Sequence, residues 1–352
     1  MSPIVTALST YVPPTMMMSA ACRTDVSDPV SPSPTAPSGW DAWIASWRSD
    51  FDGSSTATTD ADHVSNDRAL PLLIPIERSG QLSDLAAHVA DLILASRDPN
   101  AASVDIIVFC HSSVDEHVST TTAARLASMA GGACFPFSVS QQHGVSTLTA
   151  LRLAQDLMLA EFDVQTVLVV AAEKWAPPFS RWPLHGLSHG DAAAAVLIER
   201  ACPVKRGFRL VDAKTCHCAM ASPGSVDVLL RLIDAMLSEH VLATSDVTSI
   251  GCGLEPAHTE LVSRHLGANL STHARIDSGF EPRGEPRSEA PFQYAHLGAA
   301  EPIAQLARAI EARSLPPQGP VLMWAMGVCG YVGCALLDAQ GSPTVLMDRR
   351  WS

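Results

Sequence analysis

The stretch of this sequence best suited to chemistry is Phe135 to Leu151, FPFSVSQQHGVSTLTAL, where an apolar strand pattern stops at Gln141-Gln142-His143-Gly144 and restarts with helical spacing. In open α/β sheets, the carboxyl ends of strands and the amino ends of the helices that follow them converge on ligands, because unpaired helix N–H groups and the helix dipole favour negative charge there. An imidazole at such a corner can move a proton or ligate a metal near neutral pH. A polar turn that only caps a helix would use the same residue types. Cys216-His217-Cys218 offers two thiols and an imidazole, but no second pair at zinc-finger spacing accompanies it, so no metal is expected there. Asp191, after Gly190, is expected to fix a turn through backbone hydrogen bonds. Cys110 and Cys134 border apolar strands and read as buried small hydrophobes. His189, His258 and His265 are expected on turns or helix surfaces, in contact with solvent.

These residues need a scaffold, and the 352-residue chain, 47% hydrophobic, is long enough for one large or two ordinary domains with substantial cores. Its formal net charge of -13, from 23 Lys plus Arg against 36 Asp plus Glu, argues against binding to nucleic-acid phosphates or to anionic lipid. The nine Cys form no CxxC pair, and Cys110, Cys134, Cys252, Cys329 and Cys334 sit inside apolar segments, which suits reduced thiols. The amino terminus lacks a basic region followed by an apolar core, and no stretch reaches the roughly 20 apolar residues of a membrane span. The expected location is the cytosol, with neither nucleic acid nor membrane as partner.

The elements that would position the corner alternate along the chain. Pro3 to Tyr11 reads as a strand, and residues 16–62, rich in Ser, Thr, Pro and Asp, as a partly irregular insertion. Trp40, Trp43, Ile44 and Trp47 within it have the spacing of a short amphipathic helix. Asp84 to Ser96 predicts a buried helix. Then follow a strand over Val104 to Cys110, a helix over Thr120 to Met129, a strand over Phe135 to Gln141, a helix over Thr147 to Glu161, and strands over Val164 to Glu173 and Asp191 to Glu199. A second series has a strand at Val247 to Gly253, helices at Ala257 to Leu266 and Ala299 to Arg313, and strands at Gly319 to Met326 and Gly330 to Ala339. Continuous Val/Ile/Leu runs imply strands covered on both faces, hence parallel pairing with helices on each side. Both series end on two strands of small and branched residues with Gly between, so the chain reads as an internal repeat. Its halves would be residues 1–203 and 204–352, joined near Ala201 to Arg209.

The duplicated halves, the Tyr11-Val12-Pro13 opening, the Gly190-Asp191 turn before an Ala-rich strand and the closing GVCGYVGCALL resemble the thiolase superfamily, closest to β-ketoacyl-acyl-carrier-protein synthase III. The resemblance runs from about Val104 to the carboxyl terminus and is loose before it. It implies an α/β fold of two similar halves, with mostly parallel central sheets covered by helices in αβαβα layers. It further implies a condensing or acyl-transfer enzyme with a Cys, a His and an Asn at the end of a pantetheine tunnel. The place of that Cys, at the start of the buried helix, is held here by His143. The H-Q-A-N motif of the family is matched by Cys252-Gly253-Leu254-Glu255, and the Asn that begins N-x-x-A-A is matched by His296, in His296-Leu297-Gly298-Ala299-Ala300. The resemblance thus brings His143, Cys252 and His296 together as candidate catalytic residues, with Gly327, Cys329 and Gly330 beside them as the substrate-binding turn.

A thiol between two imidazoles is a workable nucleophile, since an adjacent base takes its proton. The implied activity is acyl transfer or condensation on acyl-CoA or carrier-bound thioesters, in specialised-metabolite or fatty-acyl biosynthesis. No cofactor is expected beyond the acyl-CoA or acyl-pantetheine substrate. The basic residue that would help dock an acidic carrier protein is missing from Glu255-Pro256-Ala257, which weakens the expectation of that partner. The alternative is a catalytically degenerate subunit paired with an active homologue through Phe135 to Gln141, so a homodimer and a heterodimer both stay open. One thiolate and two imidazoles also match a three-ligand open zinc site, a reading set below the other two.

Overall fold

The computed structural model describes residues 3–18, 72–114, 121–175, 181, 188–201, 206–218, 224–254, 256–267 and 293–348. The expected Trp40 to Trp47 helix and the boundary at 203/204 lie outside them. In chain order the elements are β1 (Pro3–Tyr11), β2 (Thr15–Met18), β3 (Leu72–Pro75), α1 (Leu82–Ser96), β4 (Ile106–His111), α2 (Thr122–Met129), β5 (Phe135–Ser140), α3 (Gly144–Ala160), β6 (Thr166–Glu173), β7 (Ala192–Arg200), β8 (Phe208–His217), α4 (Gly224–Glu239), β9 (Thr248–Cys252), α5 (Pro256–Leu266), β10 (Gln293–Tyr294), α6 (Glu301–Glu311), β11 (Gln318–Met326), β12 (Tyr331–Gln340) and β13 (Thr344–Asp348).

Most strands join in one large sheet with neighbours β5-β4-β6-β7-β1-β8-β12-β11-β9, and β13 pairs with β1. The order is the same on either side of the junction. The first strand of each series, β1 or β8, lies beside β7 or β12, which lies beside β6 or β11, then β4 or β9. The two series meet where Ile4 pairs with Arg209 and Val5 with Phe208.

The apolar runs pack as doubly covered strands because alternate side chains enter different layers. Val167, Val169 and Ala171 of β6 face a central core, and Leu168, Val170 and Ala172 face an outer one. In β11, Val321, Met323 and Ala325 join the same central core, whereas Leu322, Trp324 and Met326 face the opposite outer layer. Helices α3 and α6 fill the centre with Leu148, Leu151, Ile303 and Leu306. Helix α1 covers the first outer face with Leu85, Val89 and Ile93, and α4 the second with Leu229, Ile233 and Met236. The result is the expected αβαβα layering.

The structure differs from the sequence-based expectations in particulars. Pairing is parallel at β4–β5, β4–β6 and β9–β11, but antiparallel at β6–β7 and β11–β12. The turn between β11 and β12 is too short for the crossover of a dozen or more residues that a parallel neighbour needs. Met16 to Met18 are not irregular. They form β2, which pairs with β3, and β3 pairs in turn with β10 in a three-stranded sheet. Helix α3 begins at Gly144, three residues before the expected start. Strand β8 and helix α4 were not legible as elements. Among the described residues, no helix is long and apolar enough to cross a membrane.

Candidate active site

The corner before α3 is strained. Gln141 has φ 66° and His143 has φ 49°, both in the left-handed region that non-glycine residues rarely enter. With ψ at -135°, His143 makes a sharp strand-to-helix turn and is the N-cap of α3. Such backbone costs on the order of 1–3 kcal/mol and persists only where its surroundings fix it. Here the His143 N–H donates to Oγ of Ser112 at 3.0 Å, the Gln141 N–H donates to the His111 carbonyl at 3.1 Å, and Oγ1 of Thr149 donates to Oε1 of Gln142 at 2.7 Å. The turn thereby holds a side chain at the amino end of the central helix, as nucleophile elbows do.

His143 is 3% exposed and has two imidazole neighbours. Its ring centre lies 4.8 Å from that of His189 and 6.0 Å from that of His296, the latter edge-on. His189 stacks on Trp175 at 4.1 Å and 10°. The expectation of a solvated His189 is therefore wrong: the residue is 0% exposed. The main chain buries it, since Ser188 to Gly190 runs beside His296 in a parallel bridge, with the His296 N–H donating to the Ser188 carbonyl at 2.7 Å and the Gly190 N–H to the His296 carbonyl at 3.0 Å. Of the other two histidines read as solvated, His265 is exposed and lies 2.7 Å from Asp234, and His258 is half-buried in α5.

Burial, together with the neighbouring His296, pushes the imidazolium of His143 down to about 3. His189 is likewise held well below the usual range by burial, then by His143, His296 and Arg181. Both rings are neutral at physiological pH. His296, 6% exposed, has Nδ1 2.8 Å from the Gly298 N–H and 3.0 Å from Oε2 of Glu301. A neutral ring accepts from Gly298 and carries its hydrogen on Nε2, and a protonated ring donates from both nitrogens. In the tautomer that accepts from Gly298, Nε2–H is a donor; a ring that gave Nδ1–H to Glu301 would instead present Nε2 as an acceptor. Among the described residues that atom has no partner, and neither have Nδ1 of His143, both ring nitrogens of His189 or Nε1 of Trp175. These unpaired polar atoms sit on four neighbouring rings, and a polar ligand or water there would complete the structure.

Two buried acids position this cluster. Glu173, at the end of β6, accepts from the N–H groups of Ser112, Ser113 and Ala299, tying the end of β4 to the turn after His296. Asp191 does what its turn position predicts: it accepts from the N–H groups of Glu77 and Trp175 and receives both arms of Arg181 at 2.8 Å.

The remaining sequence candidates are placed by their backbones. Cys252 ends β9 opposite Ala325, two residues before Gly327, and an added Cβ on Gly327 would stand 2.4 Å from the Gln142 carbonyl. The backbone of Cys252 therefore reaches the same end of the molecule as His143. Cys329 lies in the short turn Val328–Gly330 that joins β11 to β12. Gly330, with φ 81°, meets the backbone of Cys218, whose thiol donates to the Gly330 carbonyl at 3.0 Å. Burial pushes the Cys110 thiol far up, as befits a packing residue. Among the described residues, no group of three His, Cys, Asp or Glu is placed to hold a metal ion.

No protein-family model matches the sequence, and no curated protein matches it. Solved structures share its fold. 3-Oxoacyl-(acyl carrier protein) synthase III, FabH, from Pseudomonas aeruginosa PAO1 superposes with a TM-score of 0.65 at 17% identity, over 98% of this chain and 100% of that one. The acyltransferase ChlB3 gives 0.68 at 16% identity, over 98% and 99% of the two chains. A variant of OleA from Xanthomonas campestris gives 0.62 at 14% identity, over 96% and 98%. The chain thus has the duplicated thiolase-type fold of the synthase III enzymes.

Proposed function

We propose that this protein transfers acyl groups from a thioester, of CoA or of carrier-bound pantetheine, to an acceptor nucleophile, using imidazoles where a thiol would be expected. The observation that carries this reading is the elbow that presents His143, buried and neutral, at the amino end of the central helix beside His189 and His296. Nε2–H of His296 donates to the thioester carbonyl oxygen and stabilises the charge that develops on it. His143 takes the proton from the acceptor as the acceptor bonds to the carbonyl carbon. The carbon–sulfur bond then breaks, and the thiolate leaves with that proton. In a two-step variant the Cys252 thiol gives its proton to an imidazole and its sulfur bonds to the acyl carbon, the donor's carbon–sulfur bond breaks and that thiolate leaves with the proton, and the acceptor then displaces Cys252 in the same way. The protein works in the cytosol and needs no cofactor besides the acylated substrate.

The test is incubation of the purified protein with a panel of acyl-CoA and acyl-pantetheine donors and of alcohol, amine and carbon acceptors, followed by product analysis and intact mass. Transfer lost in His143→Ala supports the reading. An adduct lost in Cys252→Ala selects the two-step route, and transfer without an adduct selects the direct one. No transfer from any donor would sink the proposal.

A second reading, a subunit that pairs with an active homologue, draws on β5. This strand is at the edge of the large sheet, with Phe135 66% exposed and Phe137 and Val139 half-buried. Such an edge favours pairing with another chain, of its own kind or of a homologue. Co-purification decides it: a homodimer that turns over thioester alone excludes the subunit reading.

A further inference from the structure

We propose that His189 is the proton partner of His143, so that two imidazoles jointly hold the one proton that acyl transfer moves. Its use in turnover rests on the acyl-transfer reading, whereas the pairing is a property of the site itself. His189 is fully buried, its ring centre is 4.8 Å from that of His143, and among the described residues neither of its nitrogens has a hydrogen-bond partner. Packing alone does not call for a histidine here. A Phe would stack on Trp175 without stranding two polar atoms. The ring is nevertheless held in place, since the His189 N–H donates to the Arg181 carbonyl at 2.8 Å and its neighbours on either side bond to His296.

A neutral imidazole has one donor and one acceptor nitrogen, so each ring offers a lone pair for a proton held by the other. The two rings are not hydrogen-bonded to each other in the free protein. The acceptor's own hydroxyl or amine, or a water, seated between them makes the link. The acceptor X–H gives its proton to His143 and forms the X–C bond. The carbon–sulfur bond breaks, and the departing thiolate collects the proton that the pair has held. The charged groups around the pair leave it room for one proton. Arg181 is engaged by Asp191, Glu301 lies 3.0 Å from Nδ1 of His296, and Glu173 is committed to backbone N–H groups. Burial and like charge oppose a second proton, so the pair titrates as a unit.

Two variants test this. His189→Phe keeps the stack and removes both nitrogens, and His189→Gln keeps a donor and an acceptor. In His189→Phe, kcat should fall on the order of 100-fold with KM changed less than about threefold, and the acid limb of the kcat–pH profile should move. His189→Gln should recover part of the loss. Imidazole 15N shifts read the pairing without turnover: His143 should take up its proton at lower pH in His189→Phe than in the wild type. Unchanged kcat and pH profile in either folded variant overturn the proposal, and so does an unchanged His143 titration. Failure of the wild type to transfer any acyl group instead overturns the acyl-transfer reading, and the 15N titration then decides the pair by itself.

Discussion

The carbonyl oxygen of Gln142 lies so close to Gly327 that a Cβ on the glycine would stand 2.4 Å from it. The turn after β11 and the corner before α3 come from opposite halves of the chain, and they touch backbone to backbone at the residue next to His143.

Gly327→Ala should therefore displace the corner. The obstructing atom is main chain and cannot rotate aside, so the methyl group must push back Gln142 and with it His143. The expected loss is about 1–3 kcal/mol of stability, as for other overpacked sites, accompanied by a fall in kcat larger than any change in KM. Urea denaturation and steady-state kinetics measure the two effects, and a wild-type urea midpoint would refute the tight contact.

Glu173→Gln tests the tether between β4 and the His296 turn. Oε1 accepts from Ser112 and Ala299 at 2.9 and 3.0 Å, and Oε2 from Ser113 and Ser112 at 2.7 and 3.1 Å. Whichever way a Gln amide is turned, its NH2 group faces a buried backbone N–H. The predicted cost is about 1–3 kcal/mol, that of a buried donor left unsatisfied. A chemical-denaturation midpoint equal to the wild type would show that water replaces the missing acceptor.

Stability should fall in acid because of the buried imidazoles. In the unfolded chain a histidine titrates near 6.5, whereas in the fold burial and the neighbouring His296 bring His143 down to about 3. Between those values the unfolded chain binds a proton that the fold refuses. The stability linked to this group is whole above about pH 6.5 and is lost as pH falls towards 3, by up to about 1.4 kcal/mol per pH unit. His143→Gln should flatten the dependence by about one proton. Urea midpoints between about pH 7 and pH 5 measure the slopes, and identical slopes for the variant and the wild type would contradict the prediction.

The scaffold was largely legible in the sequence, because β4, β6, β7, β11 and β12 are apolar runs bounded by Gly or polar residues and each is buried on both faces. The corner at His143 was legible for the same reason: a strand pattern ends and a helix pattern begins. His189 was not. Nothing local distinguishes Ser188-His189-Gly190 from a solvated turn, and its burial comes from Trp175, His143 and the bridge to His296, all distant in sequence. Strands β2 and β10 escaped notice because they are too short to show a period and are held by β3, far from both in the chain.

His296 is the residue whose replacement best separates charge stabilisation from packing. With Nδ1 receiving the Gly298 N–H at 2.8 Å, the neutral ring carries its hydrogen on Nε2. Among the described residues nothing receives that hydrogen, although the side chain is only 6% exposed, so on the acyl-transfer reading it is available to a carbonyl oxygen that gains negative charge. His296→Phe keeps the ring volume and removes the donor, and should lower kcat by about 100- to 1000-fold with little change in KM. It also leaves the Gly298 N–H without its acceptor, so a loss of stability on the order of 1 kcal/mol accompanies it. His296→Asn offers an amide N–H in nearly the same place and should regain part of the rate. Equal rates for the Phe and Asn variants, both folded, would mean that the donor at position 296 has no part in the reaction and that the ring is there for packing.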